Sequence, residues 1–563
     1  MRSSFEHPST GVTRRELLTR VPLAIAGASI LRSVATAQST TSEFIEVKTT
    51  SGRLRGSRIG GLATFKGIPY GGSISGENRF KAAPPMKPWS DVRDALQFGA
   101  PSPQPGRQAS NREPGPAEEC LFLNVWTPAA DGRKRPVMFY SHGGGFVTGS
   151  GGAAYQDGGN LARTWDVVVV ASNHRLGLMG YLYLGDLAGE AYATSGIQGM
   201  LDIRDALSWV HENIDAFGGD PDDVMIFGES GGGAKTSCLY AMPSAATYFN
   251  KASIESGPGI RMMPREVAAE TTLLLLKHLG FERNAWRRLL ELPLDTLVAA
   301  QRALAEVPGA GPLTMSGGRR GMSSSERPGG FGPVVDGTFL PRHPFDPEAP
   351  AVSKQKPLIV GSNRDETMFF LQRDATVFSL SENGLKERLA KELGTKSEAV
   401  YSTYRKSRPN ASATDLYIAI TSANMFGLGG ITIAERKYAQ AGAPVFMYLF
   451  THESEDIVPG TNHKLGSAHA LEIPYKFNLV GQGNSPDSGG MMAIKSPDAE
   501  ATAHNMSEMW STFARTGHPA AKGQPEWPPY TTGRRATMEI DAQCKVVDDP
   551  YSAEREMWQR LDS

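Results

Sequence analysis

Gly228-Glu229-Ser230-Gly231-Gly232 sets one hydroxyl between glycines two positions before and two after it. The apolar run 224–227 precedes it, and a helix-compatible stretch follows. A serine on such a sharp strand-to-helix turn stands clear of its neighbours, above a helix N-terminus that favours negative charge. The flanking glycines let the backbone fold back without clash. His142-Gly143-Gly144-Gly145-Phe146 follows a second apolar run, 137–141. Only backbone free of side chains brings N–H groups close to a developing oxyanion. Gly144, Gly145 and the N–H of Gly231 are therefore the expected donors. No Gly-Lys-Ser/Thr closes this loop, which argues against a phosphate cradle. A hydroxyl and a glycine loop of this kind point to attack on a carbonyl carbon.

A serine hydroxyl is a weak nucleophile without a base, and the base needs an orienting acid. On an elbow of this type the expected chain order is serine, acid, histidine. His469 lies among small residues in Gly466-Ser467-Ala468-His469-Ala470, ahead of an apolar piece; His463 is its rival. Asp365 and Glu366 follow the apolar run 358–360. Both stand where a parallel sheet places function, at a strand's C-terminal end, and spacing does not choose between them. The sequence has no H-E-x-x-H, its eleven histidines form no ligand cluster, and no metal or cofactor is implied.

The elements that must hold these residues alternate. Runs at 45–48, 54–57, 63–67, 121–126, 137–141, 167–171, 224–227, 358–361 and 445–450 read as strands, and 203–217, much of 266–297 and 499–515 read as helices. The all-valine heart of 167–171 marks a strand buried on both faces. Segment 84–116 is rich in Pro and Gly and reads as a surface loop, and 308–332, rich in Gly, Ser and Arg, as a second one. The fold class is α/β, with a mostly parallel sheet covered by helices on both faces.

The chain has 563 residues and a formal net charge of −1, from 58 Lys plus Arg against 59 Asp plus Glu. That balance gives no electrostatic footprint for nucleic acid. Cys120, Cys238 and Cys544 are too few for a disulfide scaffold and are best read as buried small hydrophobes. Residues 1–37 read as an export signal: Arg14-Arg15 in a twin-arginine context, the apolar stretch 21–31, then Ala35-Thr36-Ala37 as a cleavage pattern. The expected location is periplasmic or secreted, and no membrane span is expected in the rest of the chain.

Beyond these signals, segments 117–126 (AEECLFLNVW), 142–146, 173–177 (NHRLG), 217–221 (FGGDP), 228–232, 255–257 (ESG), 361–366 and 466–475 occur in order. Met506, Trp510, Phe513 and the stretch 515–519 extend the series. The chain resembles type-B carboxylesterases, the relatives of cholinesterases and para-nitrobenzyl esterases, from about residue 44 to its end. The resemblance implies an exported bacterial serine ester hydrolase with one α/β-hydrolase domain over 43–563. It further implies helical and loop insertions over an active-site gorge, with a small-molecule ester as partner. It implies Ser230 as nucleophile, Glu366 as acid and His469 as base. Ser256 is expected to hydrogen-bond near the acid, and Glu229 to be a buried carboxylate beside the nucleophile. Carbamate, amide or lactone cleavage by the same groups, or a non-catalytic binding role, are the alternatives. Monomer and homodimer both stay open.

Several departures from that pattern bear on the site. Gly231 stands where Ala is frequent, and Thr367 where Gly is. Cys120 lacks the upstream cysteine that usually bridges to it, so a looser 84–116 loop is expected. Residues 102–119 contain no aromatic, which disfavours a choline-type cation–π site. The gorge is expected to draw on 84–119, 146–156, 260–335 and 420–430. Met262, Met263, Met315, Met322 and Met425 are candidates for an adaptable wall, with core filling as the plainer role. Arg319, Arg320 and Arg327 are candidates to attract an anionic substrate, with a solvated loop as the plainer reading.

Overall fold

Successive side chains of a strand point to opposite faces, and the apolar runs of this chain fill both faces of one sheet. The computed structural model describes residues 43–305, 328–481 and 495–562. The export-signal reading of 1–37, Met315, Met322, Arg319, Arg320, Arg327 and most of the 308–332 loop lie outside them. The strands are β1 (Glu43–Lys48), β2 (Arg53–Ile59), β3 (Leu62–Pro69), β4 (Val92–Asp94), β5 (Phe122–Thr127), β6 (Arg135–Ser141), β7 (Val168–Ser172) and β8 (Gly219–Glu229). They continue with β9 (Lys251–Glu255), β10 (Leu358–Asn363), β11 (Val445–Phe450), β12 (Ser454–Ile457), β13 (Lys464–Gly466), β14 (Ala536–Ile540) and β15 (Lys545–Asp548).

The main sheet runs β1-β2-β3-β5-β7-β6-β8-β9-β10-β11-β14-β15, with β4 beside β2 and β12–β13 forming a separate hairpin. From β7 through β14 every pairing is parallel; the ends are antiparallel. Val137, Phe139, Val168, Val170, Val224 and Ile226 pack on one face, where the helix Gln198–Asn213 lays Met200, Ile203, Leu207 and Val210. Met138, Tyr140, Val169, Met225 and Phe227 pack on the other face, against Met506, Met509, Trp510 and Phe513 of the helix Pro497–Thr516. That helix starts cleanly because Ser496 Oγ accepts from Ala499 N–H and Pro497 needs no N–H partner; Gly517 ends it with φ 75°.

A third cluster joins the helices Glu382–Leu393, Ser397–Ser407, Ala413–Ser422 and Ser552–Asp562 through Leu389, Tyr404, Leu416 and Trp558. The helical run Ala413–Ala439 is apolar and long enough to cross a membrane. Here Leu416 and Ile420 fill the third cluster and Ile433 the first, as a core helix does. Its middle widens into a π-type turn, Ala423–Gly427.

The 84–116 segment is not wholly irregular: β4 pairs in parallel with β2 over Arg53–Arg55. Nor is the loop left untied by the missing cysteine bridge. Glu113 accepts from Ser150 Oγ at 2.8 Å and pairs with Arg107, Arg112 pairs with Asp157, and Ser102 Oγ accepts from Leu176 N–H. All three cysteines are free and buried.

Candidate active site

The C-terminal ends of β6, β8 and β10 lie close together because β6, β8, β9 and β10 are consecutive in the sheet. Ser141 of β6 pairs with Gly228 of β8, and Glu229 of β8 with Glu255 of β9. Three loops therefore converge from strands set several tens to more than two hundred residues apart in sequence.

Ser230 follows β8 and caps the start of the helix Gly231–Ala241 with φ 57° and ψ −123°. A non-glycine residue held in such a sparsely populated region marks a turn that the surroundings enforce. Ser230 N–H donates to Glu255 O at 2.9 Å, and Ala234 N–H to Ser230 O at 3.1 Å. Its Oγ lies 2.8 Å from Nε2 of His469. The Nδ1 of that ring lies 2.5 Å from Glu366 Oε2, and Glu366 Oε1 accepts from Asn363 N–H at 2.8 Å. With Nδ1 donating to the carboxylate, Nε2 is free to accept from the serine. Ser230, His469 and Glu366 are all buried.

The rivals stand elsewhere. His463 meets Asp415 at 2.9 Å on an exposed edge, and Asp365 pairs with Arg364 and accepts from Ser467 N–H. Asp365 thus steadies the loop that carries His469 while Glu366 meets the ring.

Gly144 and Gly145 adopt φ 89° and 61°, a region that side chains disfavour. Their N–H groups donate to no other group among the described residues. A Cβ on Gly231 would run into the backbone of Gly145, so the glycine loop and the elbow touch through bare backbone. This contact matches the glycine found where relatives of this type often carry alanine.

Glu229 is buried with Oε1 3.3 Å from His469 Nε2. Burial raises its carboxyl well above the ordinary range, opposed by His469 and reinforced by Glu472 and Glu366. Burial on its own lowers His469, but Glu229 and Glu366 outweigh it and bring the imidazole up to about 9. Ser256 bonds to the strand that precedes Glu366 through its backbone and not through its hydroxyl. Its buried Oγ has no hydrogen-bond partner among the described residues, and the link to the strand before Glu366 is made by its backbone N–H, which donates to Gly361 O at 2.9 Å. The left-handed turn at Ser256, φ 45°, accompanies that backbone link.

A cavity of about 630 Å³ opens over these groups. It draws on 105, 146–148, 155, 301, 302, 305, 329–331 and Phe426, all within the expected regions. Phe369 and Phe370 were not anticipated. The rings of Phe426, Phe370 and Phe369 lie 4.8, 5.2 and 6.0 Å from that of His469. A signal existed for the pair, three and four positions after Glu366, while Phe426 falls within the expected 420–430 region and is carried by the π-type turn. Among the described residues the candidate methionines do not form the wall. Met262 and Met263 are core residues, and Met425 is not among the cavity's lining residues.

Residues 43–558 match the family model described as the carboxylesterase family. Para-nitrobenzyl esterase of Bacillus subtilis (strain 168) is 34% identical over 518 residues, covering 91% of this chain and 97% of its own. Fumonisin B1 esterase of Sphingopyxis macrogoltabida is 31% identical, with 86% and 84% covered. A crystal structure of a Geobacillus stearothermophilus carboxylesterase at pH 6.2 superposes with a TM-score of 0.77 at 37% identity, covering 91% of this chain and all of that one. With Ser230, His469, Glu366 and the glycine loop gathered at the C-terminal ends of the central strands, this collinear likeness settles the assignment: the chain belongs to the carboxylesterase family and is a carboxylic-ester hydrolase.

Proposed function

We propose that Ser230, His469 and Glu366 form the catalytic triad, and that the substrate is a small or medium, uncharged ester with an apolar group. The hydrogen-bonded chain Ser230 Oγ–His469–Glu366 carries this reading. His469 Nε2 takes the Ser230 proton as Oγ bonds to the ester carbonyl carbon, and the carbonyl electron pair moves onto oxygen. The N–H groups of Gly144, Gly145 and Gly231 hold that oxyanion. When the tetrahedral adduct collapses, the C–O bond to the alcohol breaks and His469 gives the proton to the departing oxygen. Water then attacks the acyl-serine by the same route, releasing the acid and restoring Ser230. Glu366 keeps the productive tautomer and stabilises the imidazolium throughout.

The phenylalanines beside His469 support an apolar substrate group, since such a wall gains by burying apolar surface. The test is hydrolysis of chromogenic esters of graded acyl length by wild type and by Ser230→Ala, with stoichiometric labelling by a fluorophosphonate. Turnover and one label per chain, both lost in the variant, are expected; turnover unaffected by Ser230→Ala would overturn the assignment. A carbamate, an amide and a lactone of matched size in the same panel decide whether esters are preferred.

We also propose that residues 1–37 direct twin-arginine export. The support is the Arg14-Arg15 pair ahead of a short apolar stretch. Replacing both arginines by lysine should retain the protein in the cytoplasm; unchanged export would refute the route.

A further inference from the structure

We infer that Lys235 is a positioning residue for the oxyanion hole: it ties the glycine loop to the helix that carries the Gly231 N–H. The inference rests on the serine-hydrolase reading above. The hole is assembled from two elements, the loop after β6 and the first turn of the helix Gly231–Ala241. Lys235 sits one turn into that helix with no exposed surface, and its Nζ donates to His142 O at 2.9 Å. His142 passes the constraint on. Its Nδ1 lies 2.9 Å from Gly143 O, and because a carbonyl only accepts, Nδ1 carries the proton. Gly143 O belongs to the peptide whose N–H is that of Gly144. The chain Lys235–His142–Gly143 therefore fixes the orientation of one oxyanion donor relative to another.

The surroundings argue against packing as the whole role. His174 stacks on His142 with ring centroids 4.7 Å apart, and burial, with the Lys235 charge beside them, keeps both imidazoles well below their usual range. Cys238 is the other titratable neighbour. Among the described residues no ion pair involves Lys235, and burial pushes its ammonium down to about 7. A buried amine without a counter-ion is costly. A methionine would fill the same space without that cost, so the hydrogen bond to the loop is what the lysine adds.

The test compares wild type with Lys235→Met, confirmed folded by circular dichroism and its melting temperature. Three quantities are read: kcat and KM on one chromogenic ester, inhibition by a trifluoromethyl ketone whose hemiketal oxygen occupies the hole, and binding of the matching alcohol, which makes no oxyanion. A small misplacement of such donors costs about 10- to 100-fold. The expected result is a fall in kcat of that size and an equal weakening of the ketone, with KM and alcohol binding within about threefold. Unchanged kcat and ketone inhibition would overturn the inference, and so would ketone and alcohol binding weakened alike. Should Lys235→Met not fold, Lys235→Gln, whose shorter amide withdraws from His142 O, is read by the same criteria. Wild type without turnover or serine labelling would instead defeat the hydrolase reading.

Discussion

Glu229 Oε1 lies 3.3 Å from Nε2 of His469, the nitrogen that also faces Ser230 Oγ at 2.8 Å. The His469 ring thus sits between Ser230 and a second acidic side chain, with Glu366 on its far side. Both carboxylates favour imidazolium, which is why the ring is held above its ordinary 6.5 despite burial. Only the neutral ring accepts the serine proton, so kcat/KM should rise with pH along a limb set above 6.5. Glu229→Gln removes the negative charge this side chain lends the ring once it ionises, and that limb should move to lower pH. The measurement is a pH–rate profile of kcat/KM on an uncharged ester. A limb that stays in place or moves upward would count against Glu229 as a neighbour of the base.

Glu366→Gln tests the opposite side of the ring. The amide offers Nδ1 a donor as readily as an acceptor, so the productive tautomer is no longer enforced. A fall in kcat of about 10³- to 10⁴-fold is expected, with KM within a few-fold, since substrate does not touch Glu366. Steady-state kinetics decide the point, and a loss below about tenfold would remove Glu366 from the role of orienting acid.

The local parts of this site were legible because their geometry is local. A glycine-flanked serine after an apolar strand and a triple-glycine loop after another each specify their own turn. β11 spans 445–450 as its continuous apolar run foretold. The choice between Asp365 and Glu366 was not legible, since the direction of a strand-end loop depends on what it packs against. Asp365 is drawn off by Arg364 and Ser467, and Glu366 is left to the histidine. Phe426 reaches His469 only because the helix widens at Ala423–Gly427, which apolar periodicity does not reveal. Lys235 and Lys476 carry no signal at all. A lysine in a helix reads as a surface residue, yet both are fully buried, Lys476 against Glu255, whose Oε1 also accepts from Trp510 Nε1 at 2.6 Å.

Asp202 anchors the segment that follows β7. It accepts from Arg175 N–H at 2.9 Å, from Nε at 2.8 Å and from the terminal guanidinium nitrogen at 2.6 Å, with both side chains buried. Removing one member of a buried pair strands the other charge, at a cost of about 3–5 kcal/mol. Asp202→Asn should lower the denaturation midpoint accordingly, while its folded fraction keeps near-wild-type kcat/KM because no atom of the pair faces the cavity. Denaturant titration read beside active-site labelling checks both parts. A loss under about 1 kcal/mol would mean that solvent or local rearrangement rescues Arg175.

Glu472 lies in the helix Glu472–Lys476, three residues after His469, and is fully buried. Its Oε2 accepts from Asn363 Nδ2 at 2.7 Å, and its Oε1 has no hydrogen-bond partner among the described residues. Burial raises the carboxyl to about 7; Lys476 opposes the rise and Glu366 adds to it. A carboxyl that holds its proton more tightly in the folded chain than in the unfolded one contributes full stability below the unfolded value near 4.5. That contribution declines as pH rises toward about 7 and changes no further above it. Glutamine still presents an oxygen to Asn363 but does not titrate. The stability of Glu472→Gln relative to wild type should therefore climb between about pH 4.5 and pH 7 and then level off. Denaturation midpoints of the two proteins across that window give the answer. A gap that stays flat would show that Glu472 ionises as an exposed glutamate does.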